Sequence, residues 1–115
     1  MATFSKIALS GSTNGKAIPV VATATAGTLI HTAQSGTSNF DEVWMYATNP
    51  TASAVVLTVE YGGALTADQI KVTIPSQAGL TVVVAGLALQ NAQVIRAFAG
   101  TASAINILGY VNRIT

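Results

Sequence analysis

Hydrophobic side chains recur at every second position along much of this chain. Val55, Leu57, Val59 and Tyr61 are separated by Val56, Thr58 and Glu60, and Ile70, Val72 and Ile74 by Lys71 and Thr73. A period of two marks strands with one buried face, and no segment carries the 3.6-residue period of a helix. The pattern predicts strands at residues 4–9, 16–21, 28–32, 43–48, 55–61, 69–74, 80–85, 94–99 and 104–112, with 86–92 a connection that has room for a short strand and 64–68 a loop that has room for one helical turn. Within the last strand Ile105, Ile107 and Val111 are expected inside. Residues 80–85 are nearly apolar on both faces, which predicts a central position in a sheet. Pro19 demotes 16–21 to an edge or a bulge, because proline has no N–H for the ladder.

The stretch from Asp41 to Gly63 reads as a β-hairpin. Its arms, 43–48 and 55–61, flank Asn49 and Pro50, a turn-initiating pair. Asn14-Gly15 is a second hairpin signal. Short strands spaced by about ten to twelve residues predict an all-β fold, a single-domain β-sandwich or jelly-roll-like barrel of about eight antiparallel strands across residues 1–115.

Composition changes the picture in one respect. Only 8% of the 115 residues are charged and 50% are hydrophobic, against about 25% charged in a typical soluble domain. A surface this poor in charge is expected to be coated with Thr, Ser, Asn and Gln and partly covered by partners. A net charge of +1 gives no footprint for nucleic acid. The apolar run at 82–89 is too short to span a membrane as a helix. The first residues, Met-Ala-Thr-Phe-Ser-Lys, lack a signal-peptide core, so a soluble protein not secreted by that route is expected. The absence of cysteine removes disulfides and thiolate metal sites.

Each candidate for chemistry has a plainer explanation. Gly11 to Lys16 has three residues between its glycines and Ala17 after the lysine, where a phosphate-binding loop needs four and then Ser or Thr; a hairpin turn is expected instead. His31 is the only histidine and has no acid near it in sequence, so a strand residue at a subunit contact is expected, with neither a triad nor a zinc site. Of the acids, Asp41 and Glu42 point to opposite faces of a strand, and Glu60 belongs with Thr58 on a polar face. Surface solubility and intersubunit salt bridges account for all four, Asp68 included. No catalytic residue, metal ligand or cofactor site is predicted, and the chain is not expected to be an enzyme.

The remaining candidates belong to an interface: Trp44, Tyr46, Tyr61, Arg96, Tyr110 and Arg113. Trp44 and Tyr46 share one face of their strand and oppose Val43, Met45 and Ala47, so one face packs in the core and the other is expected against a second subunit, since aromatics are enriched in interface cores. If Arg96 or Arg113 is partly buried, it should meet a carboxylate or backbone carbonyls.

The stretches FSKIALSGSTNGKAIPVVATATAGTLIHTA, DEVWMYATNPTASAVVLTVEYGG and INILGYVNRIT resemble small structural proteins of tailed bacteriophages, in particular capsid decoration or cement proteins. The resemblance implies a small β-sandwich on the outer surface of the head, synthesised in the host bacterial cytoplasm. It implies the major capsid protein of the same phage as partner and a homo-oligomer, a trimer ahead of a dimer. A head-fibre or tail accessory protein with a carbohydrate- or receptor-binding role is the alternative, and exposed, clustered aromatics would support it.

Overall fold

The structure, a computed structural model, describes residues 3–115. Met1 and Ala2, the first residues of the start expected to lack a signal-peptide core, lie outside the described residues. The strands are β1 (Phe4–Ala8), β2 (Ile18–Pro19), β3 (Thr28–Thr32), β4 (Phe40–Thr48), β5 (Val55–Tyr61), β6 (Gln69–Ile74), β7 (Thr81–Leu89), β8 (Val94–Ala99) and β9 (Asn106–Ile114), with one 3-10 turn at Thr66–Asp68. β1, β9, β4 and β7 form one sheet in that order, with β2 also on β9; β3, β8, β5 and β6 form the second. All the pairings are antiparallel.

The expected β-sandwich is therefore present, while the barrel alternative is not: the two sheets stay separate. Alternation decides the core. Val43, Met45 and Ala47 of β4, Ile107 and Val111 of β9, Leu57 and Val59 of β5, and Ile95, Ala97 and Ala99 of β8 are all buried between the sheets. No helix among the described residues is long and apolar enough to cross a membrane.

Three expectations about pairing fail. β4 and β5 are not a hairpin: β4 pairs with β7 and β9, and β5 with β6 and β8. The turn at Asn49 is real, but it carries the chain from one sheet to the other. Asn49 is buried; its amide donates to Ser53 O at 2.8 Å and Ile74 O at 3.0 Å, and its Oδ1 accepts from the Thr51 N–H at 3.0 Å. These bonds tie the corner to β6, where a hairpin would need only local contacts.

Likewise Asn14 and Gly15 adopt the positive φ of a tight turn, yet the flanking β1 and β2 both pair with β9. The third failure is β7, which lies at a sheet edge and not centrally. Register shifts interrupt its pairing with β4, and Val82 is 56% exposed. Irregular edges of this kind resist pairing with a further chain.

The core assignment yields a stability test. Met45→Ala should cost about 2–5 kcal/mol, since it removes a fully enclosed side chain. Val82→Thr on the β7 edge should stay within about 0.5 kcal/mol. Urea denaturation of the two variants measures the difference.

Candidate interface and buried charge cluster

Residues on β4 alternate in burial from Phe40 to Thr48. The outward set includes Glu42, Trp44 and Tyr46. In register beside them on β9 are Asn112, Tyr110 and Leu108. Lys6 and Ala8 follow on β1, opposite Asn112 and Tyr110. The Trp44 and Tyr110 rings stack, with centroids 6.2 Å apart and planes 12° apart. Lys6 Nζ lies 4.6 Å from the Tyr110 ring centre.

Since β9 runs between β1 and β4, the lysine and the indole approach Tyr110 from opposite sides. On its β7 side Trp44 closes over Gly86, where an added Cβ would come within 3.0 Å of the indole. The result is a row of side chains across the sheet whose faces cover one another. Trp44 Nε1 donates to Glu42 Oε1 at 2.7 Å, and Asn112 Nδ2 donates to the same oxygen at 3.0 Å. These two bonds hold the Glu42 carboxyl below its ordinary pKa.

Trp44, Tyr46 and Tyr110 thus share the outer face of the first sheet. Trp44 is half-buried there and not part of the core. The other three candidates lie elsewhere. Tyr61 reaches between the sheets, its hydroxyl 3.2 Å from Leu87 O and 3.4 Å from Ala88 O of β7. Burial first, then the nearby Asp41 charge, push its pKa up to about 12. Arg96 donates to Gly27 O at 3.2 Å. Arg113 meets a carboxylate, as a partly buried arginine requires.

That carboxylate is Asp41, which is fully buried, as is His31. His31 Nε2 lies 2.8 Å from Asp41 Oδ2, while Arg113 Nε and Nη2 each lie 2.9 Å from one Asp41 oxygen. Gln34 Nε2 adds a bond to Asp41 Oδ1 at 3.2 Å. The expectation of a surface acid and of a histidine at a subunit contact is overturned: both groups are internal and partnered in one chain. Alternation carried the missing signal. Asp41 shares the inward phase of Val43, Met45 and Ala47, and Arg113 that of Ile107 and Val111.

The hydrogen bonds also define protonation. His31 Nδ1 accepts the Ser10 backbone N–H at 3.0 Å, so the ring is neutral with its proton on Nε2, donated to Asp41. Ser10, His31 and Asp41 therefore resemble a hydrolytic triad in residue type only. Ser10 Oγ accepts the Thr32 N–H at 2.7 Å and makes no bond to the histidine. Burial lowers the His31 pKa despite its contact with Asp41. Burial would raise that of Asp41, but the bonds from Arg113 and His31 outweigh it and hold the carboxyl below its ordinary value.

Glu60 corrects a further expectation. It is 2% exposed and Thr58 is equally buried, so theirs is no open polar face. Thr25 Oγ1 donates to Glu60 Oε2 at 2.9 Å and Gly27 N to Oε1 at 2.7 Å. Among the described residues, no group of three or more His, Cys, Asp or Glu is placed to hold a metal ion. The chain matches no protein family, no curated protein and no solved structure.

The cluster predicts acid sensitivity with a definite sign. Both His31 and Asp41 bind protons more weakly folded than unfolded, so their contribution is complete above the ordinary histidine pKa of 6.5. Stability should fall as pH drops below that value, by up to about 1.4 kcal/mol per pH unit for each proton taken up. A second decline should follow below the ordinary aspartate value of 3.8. His31→Gln keeps a donor for Asp41 but does not titrate, and should abolish the upper decline in urea unfolding measured across pH.

Proposed function

We propose that this is a structural virion protein that binds the outer surface of an assembled phage capsid and stabilises it. It docks through the outer face of the first sheet and works as a homo-oligomer, a trimer ahead of a dimer, on the major capsid protein. The observation that carries this reading is the side-chain row across that face. Trp44, Tyr46, Leu108 and Tyr110 sit on its central strands, Phe4 (72% exposed) and Val82 at its margins. Lys6 and Glu42 are the only charges at outward positions of its strands, and both are already engaged within the face. Such a surface gains by being covered, and its aromatic anchors suit an interface centre.

Trp44 and Tyr110 stack on each other and Lys6 lies over Tyr110, which leaves those two rings little for a sugar to stack on and disfavours the alternative head-fibre or tail accessory role there. Binding an expanded shell in preference to its dissociated subunits would stabilise that shell by mass action, and many symmetry-related copies would add avidity.

Particles stripped of the protein should lose DNA or shell integrity at lower temperature than complete ones, and re-addition should restore the difference. The restoration should persist at high salt, because screening acts on exposed charges and leaves apolar burial intact. Trp44→Ala should weaken attachment by tenfold or more, about the loss expected of an interface anchor, while the purified variant stays folded. Equal failure temperatures for stripped and complete particles would refute the cementing role. Light scattering of the free protein reads its oligomeric state.

A further inference from the structure

A pocket of about 270 Å³ opens on the outer face of the second sheet, lined by Glu60, Arg96, Gln93 and the Gly62-Gly63-Ala64 turn, among others. It lies across the sandwich from the proposed docking face and has no part in that reading. Glu60 and Arg96 face each other in register on β5 and β8, the usual arrangement for a cross-strand ion pair. Yet the only ion pairs among the described residues are those of Asp41.

The segment 25–27 holds the two charges apart. The Thr25 hydroxyl and the Gly27 N–H donate to the Glu60 carboxylate, while Gly27 O accepts one Arg96 N–H. Only glycine permits this, since a Cβ on Gly27 would meet the Ala97 backbone at 2.5 Å. Among the described residues, four of the five Arg96 donors therefore have no partner. The Gln93 side chain and the N–H groups of Gly63 and Ala64 likewise have no hydrogen-bond partner among the described residues.

We propose that this pocket binds one neutral, hydroxyl-rich molecule, a single saccharide unit. The volume, about nine waters' worth of liquid, lies just under the usual small-molecule range and suits one ring. One carboxylate and one guanidinium, each engaged by segment 25–27, make the site polar but neutral overall. An anion would gain Arg96 and face Glu60, and a cation the reverse. A sugar hydroxyl both donates and accepts. Adjacent hydroxyls can accept from the Arg96 fork and the turn amides and donate to the Gln93 carbonyl oxygen. The turn's lack of bulky side chains leaves room for the ring.

The test is a titration of the purified protein with glucose, galactose and N-acetylglucosamine, followed by backbone amide NMR. Acetate, inorganic phosphate and methylammonium serve as charged competitors. At least one sugar should shift the amides of Gly62, Gly63, Ala64 and Gln93 in a saturable way. Arg96→Gln and Gln93→Ala, with unchanged unfolding midpoints, should each weaken binding by about tenfold, the loss expected for a hydrogen bond from a charged donor or to an amide acceptor. Trp44→Ala should bind as the parent does, which separates this site from the docking face. The proposal is overturned if none of the three sugars shifts these amides, if a charged competitor shifts them more strongly, or if both pocket variants bind unchanged.

Discussion

One carboxylate, Asp41, joins the two layers of the sandwich. It begins the inward series of β4 in the first sheet, and takes Arg113 from β9 of that sheet and His31 from β3 of the other. A buried charge with no partner is strongly destabilising, so Asp41 confines both partners to one geometry. Gln34 extends the tie, since its Nε2 also reaches Phe40 O at 2.9 Å and Ile114 O at 3.1 Å. Hydrophobic burial drives the sheets together without direction; this cluster specifies which end of β3 meets which end of β4. Its geometry also explains why the single histidine is neutral and acid-sensitive, with its ring occupied on both nitrogens.

The two outer faces then diverge in character. The face carrying β9 and β4 is covered by aromatic and aliphatic side chains, with the Trp44 indole and the Asn112 amide both bonded to Glu42. The face carrying β5 and β8 is crossed by the 25–27 segment, which separates Glu60 from Arg96 and leaves donors unused beside a pocket. One surface gains from losing water and the other keeps polar groups toward it. A protein held to a larger assembly by the first face would leave the second open to solution.

Much of the architecture was legible in the chain. The boundaries of β3, β5, β6 and β8 match those read from the chain; alternation sets β5, β6, β8 and the inward set Val43, Met45 and Ala47, while in β3 a bulge buries Ile30 and His31 in succession. The turn residues were also readable, because Asn14 and Gly15 act through their φ angles and Asn49 partly through local bonds to Thr51 and Ser53. The charge cluster was half legible: the inward phase of Asp41 and Arg113 was in the pattern, but their meeting with His31 was not.

What the sequence determined by itself was local: strand class, strand phase and turn position, each set by neighbours within a few residues. Only the tertiary structure decided which strands pair. The two arms around Asn49 have the same alternation whether they form a hairpin or an arch between sheets, and the arch is selected by a bond from Asn49 to Ile74, 25 residues away. The apolar pattern of β7 suits a central strand or an edge equally well, and its place follows from β9 taking the other side of β4. Periodicity records which face of a strand is buried; it holds no record of what lies beside it.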